Sequence, residues 1–120
     1  MEHDFGAGGV PAHQHPNGGG WVADTTSVDA SAYVGPEAQV YDQARVGGEA
    51  RVYDEAQVAG HAWVSGEAQV SDQAWVSGHA RVFGEAQVSD QARVGGEARV
   101  FGEAQVAGHA WVSGEAQVSD

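Results

Sequence analysis

The sequence predicts an all-β fold, a triangular parallel β-helix or solenoid with about 18 residues in each coil. Two observations predict it. Alanine recurs at every sixth position from Ala32 to Ala116, and valine follows two residues later each time, from Val34 to Val118. The fifth residue of every unit is Gly or Asp, except in the first unit, where it is Pro36. A short, strict period is typical of solenoids, whose units bury their apolar side only against their neighbours.

Each position of the unit A-x-V-x-[G/D]-[E/H/Q] predicts a place in the coil. Side chains alternate along a strand, so the alanine and the valine face the core and the residue between them faces outward. Glycine and aspartate tolerate the positive φ of a sharp corner. Three units close a triangle, so residues about 18 apart stack at a spacing of roughly 4.8 Å. Val22 and Val28 extend the six-residue step backwards, which predicts five to six coils over residues 20–120.

The repeat resembles that of the bacterial hexapeptide-repeat proteins, which form a left-handed parallel β-helix. Their repeat has an aliphatic residue, then often a small one, and another small residue four places after the aliphatic, as in Val34, Gly35 and Ala38. The resemblance covers about residues 20–120 and implies left-handed coils. Acyltransferases of that family use a histidine as general base between subunits. They typically also have a loop thrown out from a coil and a C-terminal helix, and this sequence predicts neither.

Residues 1–19 are rich in glycine, proline and histidine and have no periodicity, which predicts a flexible N-terminal segment. Because a solenoid needs its first coil covered, part of this segment is expected to fold over it as a cap, through Phe5, Val10 and Trp21. His3, His13 and His15 could bind a metal, but flexible histidine-bearing segments usually do not. We therefore expect no metal and no cofactor.

Composition narrows the possible partners. The net charge of −12 comes from 17 acidic residues against five arginines and no lysine. Nucleic acids and anionic membranes both require a cationic surface, so we expect direct binding to neither. The chain has no cysteine, no apolar run long enough to span a membrane and no signal-peptide pattern at its start, which favours a cytoplasmic protein.

Stacking predicts ladders of acidic side chains at two corners. One contains Glu49, Glu67, Glu85 and Glu103, and the other contains Asp54, Asp72 and Asp90. Like charges ~5 Å apart repel by ~1 kcal/mol per pair in water, which the fold can tolerate. The ladders could be a solubilising edge, a weak site for divalent cations, or a surface that imitates the charge of a nucleic acid.

One outward face collects arginines and aromatic residues and is the candidate binding face. Its members are Arg45, Trp63, Arg81, Phe83, Arg99 and Phe101. Arginine and aromatic residues are enriched in binding hot spots, although these arginines could simply cover their own rings. Trp21, Trp75 and Trp111 share a second face with Arg93. His61 and His79 are vertical neighbours at a corner, but two imidazoles without a third ligand are a weak metal site.

The predicted end of the rod and an internal repeat bear on assembly and function. The last coil ends at Asp120 without a cap, and open edges favour pairing, so we expect a homo-oligomer, most simply a dimer, that uses the C-terminal coil. Residues 37–72 and 85–120 are nearly identical at an offset of 48 residues. That offset is not a multiple of 18, so the copy lies on a different face, which argues against a repeated catalytic or ice-binding surface.

The sequence therefore favours a non-enzymatic acidic rod that binds a protein partner. A specific version is an inhibitor encoded by a phage or mobile element that imitates nucleic-acid charge. One alternative is an acyltransferase-like enzyme with His61, His79 or His109 as the general base at a subunit interface. A further alternative is an ice-binding β-helix, although the outward positions hold Gln, Arg, Trp and Glu rather than ranks of threonine.

Overall fold

The computed structural model describes residues 2–5 and 8–119, and in this range it contains only β-strands and turns. The strands stack in about five turns, and each coil takes 18 residues, as in the pairing of Arg45 with Trp63 and of Trp63 with Arg81. The prediction of an all-β parallel solenoid is confirmed. In the described range, no helix is present that could cross a membrane.

Three parallel sheets form the sides of the coil, called face 1, face 2 and face 3. Face 1 comprises β3 (Trp21–Ala23), β6 (Gln39–Val40), β9 (Gln57–Val58), β12 (Trp75–Val76), β15 (Arg93–Val94) and β18 (Trp111–Val112). Face 2 comprises β4 (Ser27–Val28), β7 (Arg45–Val46), β10 (Trp63–Val64), β13 (Arg81–Val82), β16 (Arg99–Val100) and β19 (Gln117–Val118). Face 3 comprises β5 (Tyr33–Val34), β8 (Arg51–Val52), β11 (Gln69–Val70), β14 (Gln87–Val88) and β17 (Gln105–Val106).

The core consists of the alanines and valines of the repeat. From Ala32 to Val106 every alanine and valine at the first and third positions of the unit is at most 4 % exposed. Each strand from β4 onward has only two residues, so each repeat unit presents a single outward side chain on its face, such as Trp63 on face 2. The core is therefore nearly identical in every coil, and the outward side chains alone make the three faces differ.

Backbone hydrogen bonds connect each coil to the next in one direction. In Trp63, Ser65 and Glu67 the N–H groups donate to the carbonyl oxygens of Ala80, Val82 and Gly84, at distances of 2.9, 2.9 and 2.8 Å. The same step recurs along the rod. Within most corners, the alanine N–H donates back three residues, as from Ala68 to the Ser65 oxygen. These bonds satisfy the backbone of strands that are too short to be stable alone.

The corners adopt the left-handed conformation that the fifth position predicts. The φ angle is 57° at Asp54 and Asp72 and 66° at Gly66 and Gly78. A side chain in this region costs energy unless it is glycine or a short polar residue that forms a local hydrogen bond. The restriction of this position to Gly and Asp therefore follows from the backbone.

The described part of residues 1–19 contains two strands, in a stretch that the sequence predicts to be flexible. Strand β1 (Glu2–Asp4) pairs antiparallel with β2 (Gly9–Gln14), and β2 pairs antiparallel with β3, so both strands extend face 1 beyond the first coil. The ring of His3 stacks on Trp21 at 4.6 Å and the ring of Phe5 stacks on Tyr41 at 4.9 Å. Val10 is 37 % exposed.

Three residues before β3 complete the cover by bonding to the upper edge of face 3. His15 is buried, and its Nε2–H donates to the Ala32 oxygen at 2.9 Å; the side-chain amide of Asn17 donates to the same oxygen at 3.1 Å. The N–H of Gly20 donates to the Val34 oxygen at 3.0 Å. Elsewhere on this face, the equivalent oxygens accept from the preceding coil. The segment therefore supplies the donors that a preceding coil would supply.

Candidate interaction surfaces

Face 2 carries a continuous stack of arginine and tryptophan. The guanidinium carbons of Arg45 and Arg81 lie 4.9 and 5.1 Å from the centroid of the Trp63 ring, one on each neighbouring strand. Trp63 is 41 % exposed. Arg99 follows Arg81 on the next strand, so two guanidinium groups stand on adjacent coils. Four of the six residues predicted as a binding face are thus neighbours on one sheet.

The other two predicted members, Phe83 and Phe101, lie at the corner that follows face 2. Their rings stack at 5.4 Å with an angle of 9° between planes, and both side chains are half-buried. They stand at the fourth position of the unit, where the chain leaves the strand. The predicted set is therefore a flat row of arginine and tryptophan with an aromatic ledge along one edge.

Face 1 carries the inverse arrangement, in which one arginine lies between two tryptophans. The Arg93 guanidinium carbon is 5.4 Å from the Trp75 ring centroid and 5.3 Å from the Trp111 ring centroid. Trp75 and Trp111 are 42 % and 70 % exposed. Trp21 is on the same face but at its other end, against His3.

The guanidinium groups are held over aromatic rings rather than by carboxylates. Among residues 2–5 and 8–119, the one ion pair within 4.0 Å joins His13 Nδ1 to Asp24 Oδ1 at 2.7 Å. No arginine in that range has a carboxylate oxygen so close, although the chain has 17 acidic residues. Cation-π contact leaves the positive charge uncompensated, so faces 1 and 2 present net cationic strips on an acidic protein.

The glutamate ladder of Glu49, Glu67, Glu85 and Glu103 stands at the corner between face 2 and face 3. It borders a groove of about 560 Å³ whose other wall includes Gln69, Gln87 and Gln105. The pKa of Glu85 is raised above its usual value of 4.5, first by the charge of Glu103 and then by that of Glu67. All four side chains are exposed. The ladder therefore has the internal repulsion that stacking predicts.

The aspartate ladder at the corner between face 3 and face 1 is bonded to the backbone. One carboxylate oxygen of Asp54 accepts from the N–H of Asp72 at 3.3 Å, and Asp72 accepts from Asp90 in the same way at 3.1 Å. Asp90 accepts from the N–H of Gly108 at 3.0 Å. Each aspartate thus binds the coil below it. The sequence did not indicate this role, because it depends on the direction in which each carboxylate points.

The sixth position at the same corner forms a ladder of amides. The Nε2 of Gln73 donates to a carboxylate oxygen of Glu55 at 3.2 Å, and the Nε2 of Gln91 donates to the Gln73 oxygen at 3.3 Å. His109 follows on the next coil beside a second groove of about 570 Å³, which Trp75 and Arg93 also line.

The predicted histidine pair is brought together, but without a metal-binding set. The rings of His61 and His79 stack at 4.9 Å with an angle of 4° between planes. In the part of the chain that the structure describes, no group of three His, Cys, Asp or Glu side chains could hold a metal ion. The three histidines of the N-terminal segment do not converge on one point. His13 contacts Asp24, His15 contacts the Ala32 oxygen, and His3 stacks on Trp21.

A cleft of about 910 Å³ lies on face 3 next to the N-terminal cover, and the sequence did not single it out. Tyr33, Arg51 and Tyr53 line it, with Glu37 and Glu49 at its rim. Below Arg51 the outward residues of face 3 are Gln69, Gln87 and Gln105. The signal that could have identified it is the single arginine in an otherwise uncharged column.

In comparisons with known proteins, no protein-family model, no curated protein and no solved structure matches the chain.

Proposed function

We propose that this chain is a non-enzymatic acidic rod of the left-handed hexapeptide-repeat kind, and that it binds a basic protein partner through face 3. The partner surface that fits is one that normally holds a nucleic acid. An inhibitor of a nucleic-acid enzyme, encoded by a phage or mobile element and acting in the cytoplasm, is the specific version of this proposal.

The observation that carries the proposal is the position of the two carboxylate ladders on either side of face 3. Seven acidic side chains of these ladders flank a strip whose outward residues below Arg51 are uncharged glutamines. Face 3 is therefore the acidic side of a rod in which four of the five arginines lie on other faces.

The spacing of these charges supports imitation of a nucleic acid. Each ladder repeats at roughly 4.8 Å, so the two together present one carboxylate per roughly 2.4 Å of rod. Duplex DNA presents one phosphate charge per roughly 1.7 Å of its axis. The β-helix is also rigid, because the aspartate carboxylates bond to the backbone of successive coils. A basic channel that recognises DNA by charge would meet a similar density of negative charge here.

The test is capture of a DNA-binding protein by immobilised rod, with elution by duplex DNA. Gln87→Lys with Gln105→Lys adds two positive charges to face 3 without removing a hydrogen bond of the described residues, since neither side chain has one. We expect this variant to lose capture, because lysines would repel the basic partner. Capture by the wild type should also fall in about 1 M salt, where the screening length is roughly 3 Å.

The matched control is Gln87→Glu with Gln105→Glu, which changes the same side chains and should keep capture. A partner that stays bound in high salt, that duplex DNA does not elute, or that the lysine variant still captures would contradict the proposal. The dimer that the sequence predicts through the C-terminal coil remains a prediction. Ala110 and Ala116 in that coil are exposed, whereas the alanines at the first position of the preceding units are buried.

A further inference from the structure

The arginine and tryptophan strip of face 2 contains positive charges that no carboxylate of the described residues neutralises within 4.0 Å. Arg81 and Arg99 stand on paired strands and have no carboxylate oxygen within 4.0 Å in the described range. The glutamates of the next corner repel one another, since the charges of Glu103 and Glu67 raise the pKa of Glu85. Both rows have the same vertical spacing, because both follow the coil.

We propose that a second copy of this chain docks at the corner between face 2 and face 3, with the two rods parallel and related by a twofold axis that runs along the Phe83 and Phe101 ledge. In this arrangement the arginine row of each copy faces the glutamate row of the other. The phenylalanine ledges of both copies meet on the axis. The dimer and the partner proposed for face 3 both use the glutamate row, so the two would compete for it.

The order of rows along the surface leads to this symmetry. Within one coil, Arg81 on β13 comes first, Phe83 follows at the corner, and Glu85 comes next. A twofold axis parallel to the rod and through the phenylalanines exchanges the two outer rows, so Arg81 faces Glu85 of the partner subunit at the same height. An axis perpendicular to the rod would instead place arginine opposite arginine. Parallel packing is therefore the arrangement that pairs opposite charges.

The composition of the surface suits a dimer. Half-buried aromatic rings at the centre with charged residues at the sides match the usual anatomy of an interface, and Trp63 between Arg45 and Arg81 supplies a hot-spot type of residue.

A charge exchange between two variants tests the pairing. Arg45→Glu with Arg81→Glu places acidic side chains opposite Glu49 and Glu85 of the partner subunit, and Glu49→Lys with Glu85→Lys places lysines opposite Arg45 and Arg81 of the partner subunit. We expect the wild type to sediment at twice its mass of 12.4 kDa at micromolar concentration. Each variant alone should sediment as a monomer, because like rows face each other. An equimolar mixture should restore the doubled mass, because each variant supplies what the other lacks.

The mixture is more informative than salt, since each copy has a net charge of −12 and added salt weakens the overall repulsion as well as the row pairing. Arg93→Glu on face 1 is the matched control and should leave the dimer intact. A wild type that is monomeric at all micromolar concentrations would overturn the proposal. A variant that dimerises alone as well as the wild type would also overturn it.

Single cysteines test the parallel orientation with a milder change. The chain has no cysteine, and Ser65 and Ser119 occupy the same column as Phe83. In the parallel dimer, Ser65→Cys and Ser119→Cys should each form a disulfide with the same residue of the other copy, because both lie beside the axis. Ser77→Cys and Ser89→Cys, at the other two corners, should not. Disulfides at the control positions only, or a disulfide between Ser65→Cys and Ser119→Cys copies in a mixture of those two variants, would exclude the proposed axis.

Discussion

The glutamate ladder and the aspartate ladder have the same charge and the same vertical spacing, yet they relate to the fold in opposite ways. Each aspartate occupies a corner with positive φ and accepts a backbone N–H of the next coil. The glutamates are exposed at the sixth position and act mainly on one another, as the pKa of Glu85 indicates. The aspartates at the fifth position of the unit therefore stabilise the stacking of the coils, while the glutamates at the sixth position lie on the surface of the rod. Acidic columns in a solenoid therefore cannot be assigned to function by charge alone.

The largest expected difference between the ladders appears when one carboxylate is removed from each. Asp72→Ala loses the bond to the Asp90 N–H, worth about 1 kcal/mol, and leaves alanine in the left-handed region, which costs about 1 kcal/mol more. We expect the free energy of unfolding to fall by about 2 kcal/mol in urea denaturation. Glu67→Ala should change it by less than about 0.5 kcal/mol. Equal losses in both variants would show that the two ladders are equivalent.

A second experiment transfers the aspartate role to a glycine corner. A Cβ at Gly60 would lie 2.9 Å from the Gly78 nitrogen, and φ there is 66°. Gly60→Ala should therefore cost about 1.5 kcal/mol. Gly60→Asp should cost less, because its carboxylate can accept the Gly78 N–H, as Asp42 already accepts the Gly60 N–H at 3.2 Å.

The matched measurement is urea denaturation of both Gly60 variants beside the wild type. Asp42 directly above Gly60 provides the precedent within the same column. An aspartate variant less stable than the alanine variant would mean that the backbone bond does not stabilise these corners.

The smallest expected effect concerns protonation of the glutamate ladder. The pKa of Glu85 lies above 4.5 because of Glu103 first and Glu67 second. Glu103→Gln should therefore lower the pKa of Glu85 more than Glu67→Gln does, as measured by NMR titration of its carboxyl carbon. If neither variant moves that pKa, the ladder does not act as a set of coupled charges.

The same pKa predicts how stability depends on pH. A raised folded-state pKa means that the folded chain holds its proton more tightly than the unfolded chain. The contribution of Glu85 is thus complete below pH 4.5 and is lost as the pH rises through its folded-state pKa. Glu85→Gln should be more stable than the wild type at pH 7, and this advantage should disappear below pH 4.5. An advantage that persists in acid would point to a cause other than ionisation.

The fold was predictable because its cause is local and repeated. The Ala and Val on either side of each outward residue specify a strand, and the Gly or Asp that follows specifies a corner. The coil length and the core residues therefore follow from the sequence of one unit. The columns also followed, because a constant coil length turns sequence offsets into heights. Arg45, Trp63 and Arg81 could thus be placed on one face from the sequence alone.

The rest was not predictable because it depends on atoms that only the folded chain brings together. The bond from the Asp90 N–H to Asp72 requires the carboxylate to point down the rod rather than outward. The role of His15 depends on the Ala32 oxygen, which has no coil above it to supply a donor. A clue was present, since Ala32 begins the alanine series, but residues 1–19 have no period from which to read a partner.

A coil built from three interchangeable units has a consequence for how the chain finds its register during folding. Sliding any strand by six residues would return Ala and Val to the interior and cost the core nothing, so hydrophobic burial does not distinguish correct from shifted winding. Only surface features, such as the Trp63 and Arg81 contact or a covered first turn, separate these alternatives. The folding of such a protein should therefore be slowed by compact intermediates with shifted strand register. The N-terminal segment would then set the register from which the coils form.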